Sequence, residues 1–294
     1  MMDLDRRSTS ALVKRLRESS RARPRSMGFG RLAEEAPPAP ALVLIAEVDG
    51  CDGLAAAAAV ASGATAILFN LGESDVAQLA SGNEEPLRLA VASCGEAVPG
   101  VMLGSEMVVE STLPAQLSAL KIDFLVGSIH QLPASILQEE SIARIPRVDA
   151  SQPMAIIRSL TDLSVDAVAI GPSRRRRNTT PGLSFYDVIT YKQAVDATRL
   201  PAIIVGDAPI NPSDLQALRN LGVEGFVISL RSLGADAGDA AKALEPFRDA
   251  IKVLKIVRRN DRREESTSAI SMPRSPGETQ TPDRDDDDDD DDGD

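Results

Sequence analysis

Tryptophan is absent from this chain, histidine occurs once and cysteine twice, and aromatic residues make up only 3% of the sequence. A core must therefore be built from Ala, Val, Leu and Ile, and hydrophobic residues at 43% are enough for a sizeable one. The scarcity of aromatics leaves no face on which nucleic-acid bases would stack. A single histidine excludes a multi-histidine metal site. Cys51 and Cys94 lie far apart with no C-x-x-C spacing, which excludes a disulfide framework and a structural zinc site and points to a reducing cytoplasm. No G-x-G-x-x-G, P-loop or flavin-type turn occurs, so no nucleotide cofactor is expected, and no metal either.

Long apolar runs are also missing. The longest, Leu54 to Ala61, falls far short of the ~20 residues that span a bilayer, and the first residues contain no apolar signal core. We expect a soluble protein without a membrane partner. The Arg- and Ser-rich start has the composition of an organellar transit peptide, but Asp3, Asp5 and Glu18 weigh against that.

Charge is distributed unevenly. Of the net −12, residues 261–294 account for −10, with 11 Asp and 3 Glu against 4 Arg, ending in the Asp run 285–292. Residues 1–32 instead carry +6, from 9 Lys or Arg against 3 acids. Opposite charges at the two ends are a pattern of interaction tails, open to self-association or a protein partner. The near-neutral body and repulsive tail exclude nucleic acid as a partner.

Between the ends, a short apolar, β-branched run recurs eight times, each closed by a polar or Gly turn and followed by a helical pattern. The runs are Leu42 to Val48, Thr65 to Asn70, Val98 to Leu103, Asp123 to Gly127, Ala143 to Val148, Asp166 to Ile170, Ala202 to Val205 and Gly225 to Ser229. Nearly continuous apolar strands separated by helices predict a parallel sheet buried on both faces, and eight of them predict an α/β (βα)8 TIM-type barrel; a doubly wound open sheet is the alternative. Gly53 to Ser62 is an Ala-rich helix stopped by Gly63, and Asn211-Pro212-Ser213-Asp214 opens a helix that Gly222 ends. Glu73 to Ala97, with Gly82, Pro86 and Gly95, makes a poor helix, so this second unit is expected to be irregular.

The expected domains are a basic helical arm and Pro-rich linker over 1–40, the barrel over 41–257, and a disordered acidic tail over 258–294. In the arm, Ser8 to Ser20 reads as a basic helix with Leu12, Val13 and Leu16 on one side, covering the barrel bottom or staying loose.

Barrel chemistry sits at the carboxyl ends of the strands. There the polar residues are Glu47 and Asp49, Asn70, Glu106, Ser128 and His130, Asp149, Asp207, and Ser229 with Arg231. Glu47 and Asp49 are two positions apart, so one strand aims both the same way and they can divide acid and base roles; Asp49 also suits the Asp49-Gly50 turn. A carboxylate inside an apolar strand needs a partner or a task, which marks Glu47. His130 is the one available imidazole base, or a hydrogen-bonded loop residue. Asp149 completes the acid/base candidates, and Cys51 reads as a nucleophile or a buried thiol. After the sixth strand, Arg174, Arg175, Arg176 and Arg177, bracketed by Gly171-Pro172 and Pro181-Gly182, form either a lid whose forked donors close on phosphate or carboxylate, or a solvated docking strip. Gly206 with Asp207, and Ser229 with Arg231, supply a partial phosphate turn after strands seven and eight.

Ile45-Ala46-Glu47-Val48 resembles the first strand of indole-3-glycerol phosphate synthases, members of the ribulose-phosphate-binding barrels. Asn211 to Gly222 followed by Val223 to Ser229 is similar to that superfamily's closing units. The resemblance implies a barrel with Glu47 in its site. The family's lysine two positions beyond that glutamate is Asp49 here, and the third strand, Val101 to Glu106, lacks its catalytic lysine. The ring-closing reaction is thus not expected. The sequence points to a barrel binding a small anionic metabolite, as a lyase, isomerase or hydrolase, or to an inert barrel that binds or assembles through its charged ends.

Overall fold

A computed structural model of the chain describes residues 10–20, 40–104, 109–172, 182–206 and 210–255, all within one compact unit, Met1–Ile256. Eight parallel strands close on themselves in chain order: β1 (Val43–Asp49), β2 (Ala66–Leu71), β3 (Val98–Leu103), β4 (Phe124–Ser128), β5 (Ala143–Asp149), β6 (Val168–Gly171), β7 (Ala202–Ile204) and β8 (Gly225–Ser229). β8 pairs with β1, with Glu47 opposite Ser229. The protein is a (βα)8 TIM-type barrel, and the open-sheet alternative is excluded by that closure.

The helices follow from local chemistry. α1 (Ala11–Ser20) precedes the barrel, and α2 (Gly53–Ala61) starts where Asp52 accepts the backbone N–H groups of Leu54 and Ala55 at 2.9 and 3.0 Å. The irregular stretch expected over Glu73 to Ala97 is instead two short helices, α3 (Glu73–Ala80) and α4 (Glu85–Ala92). Asp75 caps the first through the Gly72 N–H at 2.9 Å, Gly82 turns the chain at φ +84°, and Pro86 occupies the first turn of the second. α5 (Leu113–Ala119), α6 (Met154–Ser159), α7 (Phe185–Ala197), α8 (Leu215–Leu221) and α9 (Ala240–Val253) complete the outer ring. The connection from β4 to β5 contains a single 3-10 turn, Ala134–Gln138, in place of an α-helix. Gly222 stops α8 in the left-handed conformation, as its position predicts.

Alternation along the strands divides the apolar side chains into two bodies. One lies between sheet and helices; the other fills the barrel and includes Val43, Ile45, Leu68, Met102, Phe124 and Val227. Gly100 makes room for the Phe124 ring, since a Cβ there would come within 2.2 Å of it.

The interior body also contains Leu12, Val13 and Leu16, each fully buried. α1 therefore plugs the amino-terminal end of the barrel rather than staying loose. Asp123 caps it, accepting Ser10 Oγ at 2.5 Å and the N–H groups of Ala11 and Leu12 at 2.8 and 3.2 Å. Arg15 donates to the carbonyls of Thr65 and Glu96, and Arg219 Nη2 donates to Ser19 O at 2.8 Å. Arg15 of α1 and Arg219 of α8 thus anchor the helix through carbonyls at the barrel floor.

Candidate functional site

With α1 closing one end, the carboxyl ends of the strands are left as the candidate site. The inward phase fixes what lines it. Val43 and Ile45 belong to the interior body, so Glu47 and Asp49 continue that phase on β1; by the same count Asn70, Ser128 and Ser229 face inward on β2, β4 and β8. Five residues picked from sequence for their position at strand ends thus share one ring.

Glu47 is buried to 9% exposure, and Asn70 Nδ2 donates to its Oε1 at 3.0 Å. The carboxylate is oriented at the top of an apolar barrel interior. Asp49 sits at the rim, where Arg231 Nη1 donates to its Oδ2 at 3.2 Å, with side chains 47% and 81% exposed. The acid/base pair expected on β1 is therefore split by environment: one carboxylate enclosed with an amide, the other in water beside a guanidinium.

His130 is exposed, and its Nε2 lies 3.3 Å from Gln152 Nε2, joining the loops after β4 and β5. Asp149 accepts the N–H and hydroxyl of Ser151 at 2.8 and 2.7 Å, a local turn at the end of β5. Gly206 is packed so closely that a Cβ would lie 2.3 Å from Pro172 Cδ. Ser229 Oγ accepts the Ser232 N–H at 3.4 Å. Glu106, Arg174 to Arg177 and Asp207 lie outside the described residues.

Burial, with Asp75 nearby, pushes the Cys51 thiol up to about 11, and burial alone pushes Cys94 up to about 12. Both are held as thiols at neutral pH, which removes nucleophilic character from Cys51. Among the described residues no group of three His, Cys, Asp or Glu is placed to hold a metal ion, and no helix is long and apolar enough to cross a membrane.

One inward residue is missed when only strand ends are considered. Arg147, on β5, follows Ala143 and Ile145 in the interior phase and stands in register with Ser128 on β4 and Ala169 on β6. It is half-buried, and among the described residues nothing accepts a hydrogen bond from its guanidinium. Its signal in the sequence is a count of two from Ile145, inside the run rather than at its close.

No family model matches the chain, and no curated protein matches it. Solved structures do. The tryptophan synthase α-subunit of Pyrococcus furiosus is 15% identical, with a TM-score of 0.54 over 70% of this chain and 98% of that one. Thiamine phosphate pyrophosphorylase from the same organism gives 15%, 0.52, 71% and 96%, and tryptophan synthase of Mycobacterium tuberculosis gives 14%, 0.55, 72% and 93%. At these identities the likeness shows the fold alone, a (βα)8 barrel, the architecture that the resemblance read from β1 implies.

Proposed function

We propose that this barrel binds a small anionic metabolite, phosphorylated or carboxylated, in the mouth at the carboxyl ends of its strands, and acts on it as a lyase, isomerase or hydrolase. The observation that carries the reading is Glu47. A carboxylate buried inside an apolar barrel and oriented by Asn70 costs stability unless it has work to do. An enclosed, oriented carboxylate at that place suits proton transfer to a ligand bound above it. The fold supports the same site, because barrels of this class bind ligands at this end, and one structural neighbour is named for a phosphate compound.

In this reading Glu47 exchanges the proton, Asp49, His130 and Asp149 stand at the rim, and Arg231 with the Arg174 to Arg177 run draws the anion in. Residues 1–40, 41–257 and 258–294 act as arm, catalytic barrel and acidic tail, in the cytoplasm. The test is a melting screen of the full chain against phosphorylated and carboxylated metabolites at low salt. Ligand at 100 times its dissociation constant stabilises the fold by about 2.7 kcal/mol. Glu47→Gln then retains binding and loses turnover, and replacing Arg174 to Arg177 with Ala weakens binding. Unchanged ligand behaviour in both variants contradicts the reading.

A second reading is favoured by Asp49, which occupies the position of a family lysine and is paired with Arg231. In it the barrel is inert and its charged ends assemble copies or capture a protein. Removing residues 261–294 then abolishes association and its salt dependence.

A further inference from the structure

Arg147 is costly where it stands. A half-buried guanidinium gives up part of its hydration, and no described side chain or carbonyl replaces it with an acceptor. Space has been left for the group: a Cβ added at Gly171 would lie 3.3 Å from Arg147 Nε and 3.6 Å from Nη2. The guanidinium thus lies over the bare backbone of β6, inside the ring. Ser128, its partner in register, accepts the His130 N–H at 3.3 Å through Oγ, and among the described residues its own hydroxyl proton has no acceptor. Two sets of donors therefore converge on one part of the mouth.

We infer that Arg147, with Ser128, seats the anion that the rim arginines draw in, and takes a carboxylate carried by a small ligand. The inference rests on the proposed ligand-binding role of the mouth and specifies the ligand's class. Charge favours carboxylate over phosphate: a planar fork suits two oxygens of either group, but of the two described arginines at the mouth Arg231 is paired with Asp49, which leaves one positive charge to balance one negative charge. On the opposite wall Glu47 and Asn70 present hydrogen-bonding groups to the ligand's other end. A hydroxycarboxylate offers a group to each wall, its carboxylate to Arg147 and its hydroxyl toward Glu47.

The experiment uses the full chain and three test anions, glycolate, acetate and inorganic phosphate, titrated at constant ionic strength with melting temperature as the readout. Glycolate is expected to saturate at the lowest concentration. Arg147→Met is expected to weaken glycolate by about tenfold or more, and Arg147→Lys by less, since it keeps the charge and loses the fork. Without ligand Arg147→Met melts no lower than the parent, because the half-buried charge it removes has no partner among the described residues. Gly171→Ala, which presses on the guanidinium without removing it, weakens glycolate to an intermediate degree.

Glycolate affinity unchanged in Arg147→Met and Gly171→Ala overturns the inference and leaves the binding mouth standing. Tighter saturation by phosphate overturns the carboxylate assignment in the same way. Failure of every anion to shift the melt overturns both the inference and the reading on which it rests.

Discussion

Asn70 Nδ2 and Glu47 Oε1 meet at 3.0 Å, so two inward residues near the carboxyl ends of neighbouring strands are tied together at the mouth of the barrel. A buried carboxylate that loses such a donor loses part of what offsets its desolvation. Asn70→Ala is therefore expected to cost about 1–3 kcal/mol in urea unfolding. The same substitution in a Glu47→Gln background costs less, and equal losses in the two backgrounds would show that the bond contributes nothing.

Glu224 gives the fold a pH dependence. Its Oε2 accepts the Ala202 N–H at 2.8 Å beside the barrel floor, and burial, opposed by that bond and by Arg219, raises it from 4.5 to about 7. The folded state therefore holds this proton more tightly than the unfolded chain does. The resulting stabilisation is complete below about 4.5 and is lost as pH rises through about 7. Glu224→Gln keeps an acceptor and cannot ionise. Relative to the parent it is expected to gain on the order of 2 kcal/mol between pH 5 and pH 8; a constant difference across that range would refute the assignment.

Asp123 holds the plug. Asp123→Ala removes the acceptor for Ser10 Oγ and for the Ala11 and Leu12 N–H groups. A lost helix cap costs about 0.5–2 kcal/mol, and hydrogen exchange in α1 should rise more than in the strands. Uniform acceleration across the barrel would mean that α1 and the barrel open together.

At pH 8 a thiol raised to about 11, as in Cys51, is ionised in roughly one molecule per thousand. Alkylation of Cys51 by iodoacetamide is expected to run well below the rate for a free cysteine, with Cys94 slower still. Rapid labelling of Cys51 at pH 8 would contradict its burial.

The strands are legible because parallel strands buried on both faces leave apolar, β-branched runs; the ranges for β3 and β8 match residue for residue. β6 begins at Val168 rather than Asp166; Asp166 still donates its N–H to Arg144 O at 3.0 Å, and its side chain binds Arg144 Nε at 3.0 Å. The two helices after β2 are hidden because their signals are caps and a proline at a first turn, not a periodic stripe. In the site, Asn70 is visible as the polar close of an apolar run and Glu47 as a carboxylate inside one. Arg147 holds the equivalent inner place in its own run, and only the inward count from Ile145 marks it as lining the barrel. Glu224 carries no local signal at all; its burial arises from the packing of β7, β8 and α1.

The most direct test of the central claim is hydrogen exchange of the full chain with and without the anion that most raises its melting temperature. The account predicts slowed exchange at the carboxyl ends of β1, β2, β4, β5 and β8, around Glu47, Asn70, Ser128, Arg147 and Ser229, with α1 unchanged. Protection confined to α1 or the outer helices, or no change anywhere, would contradict it.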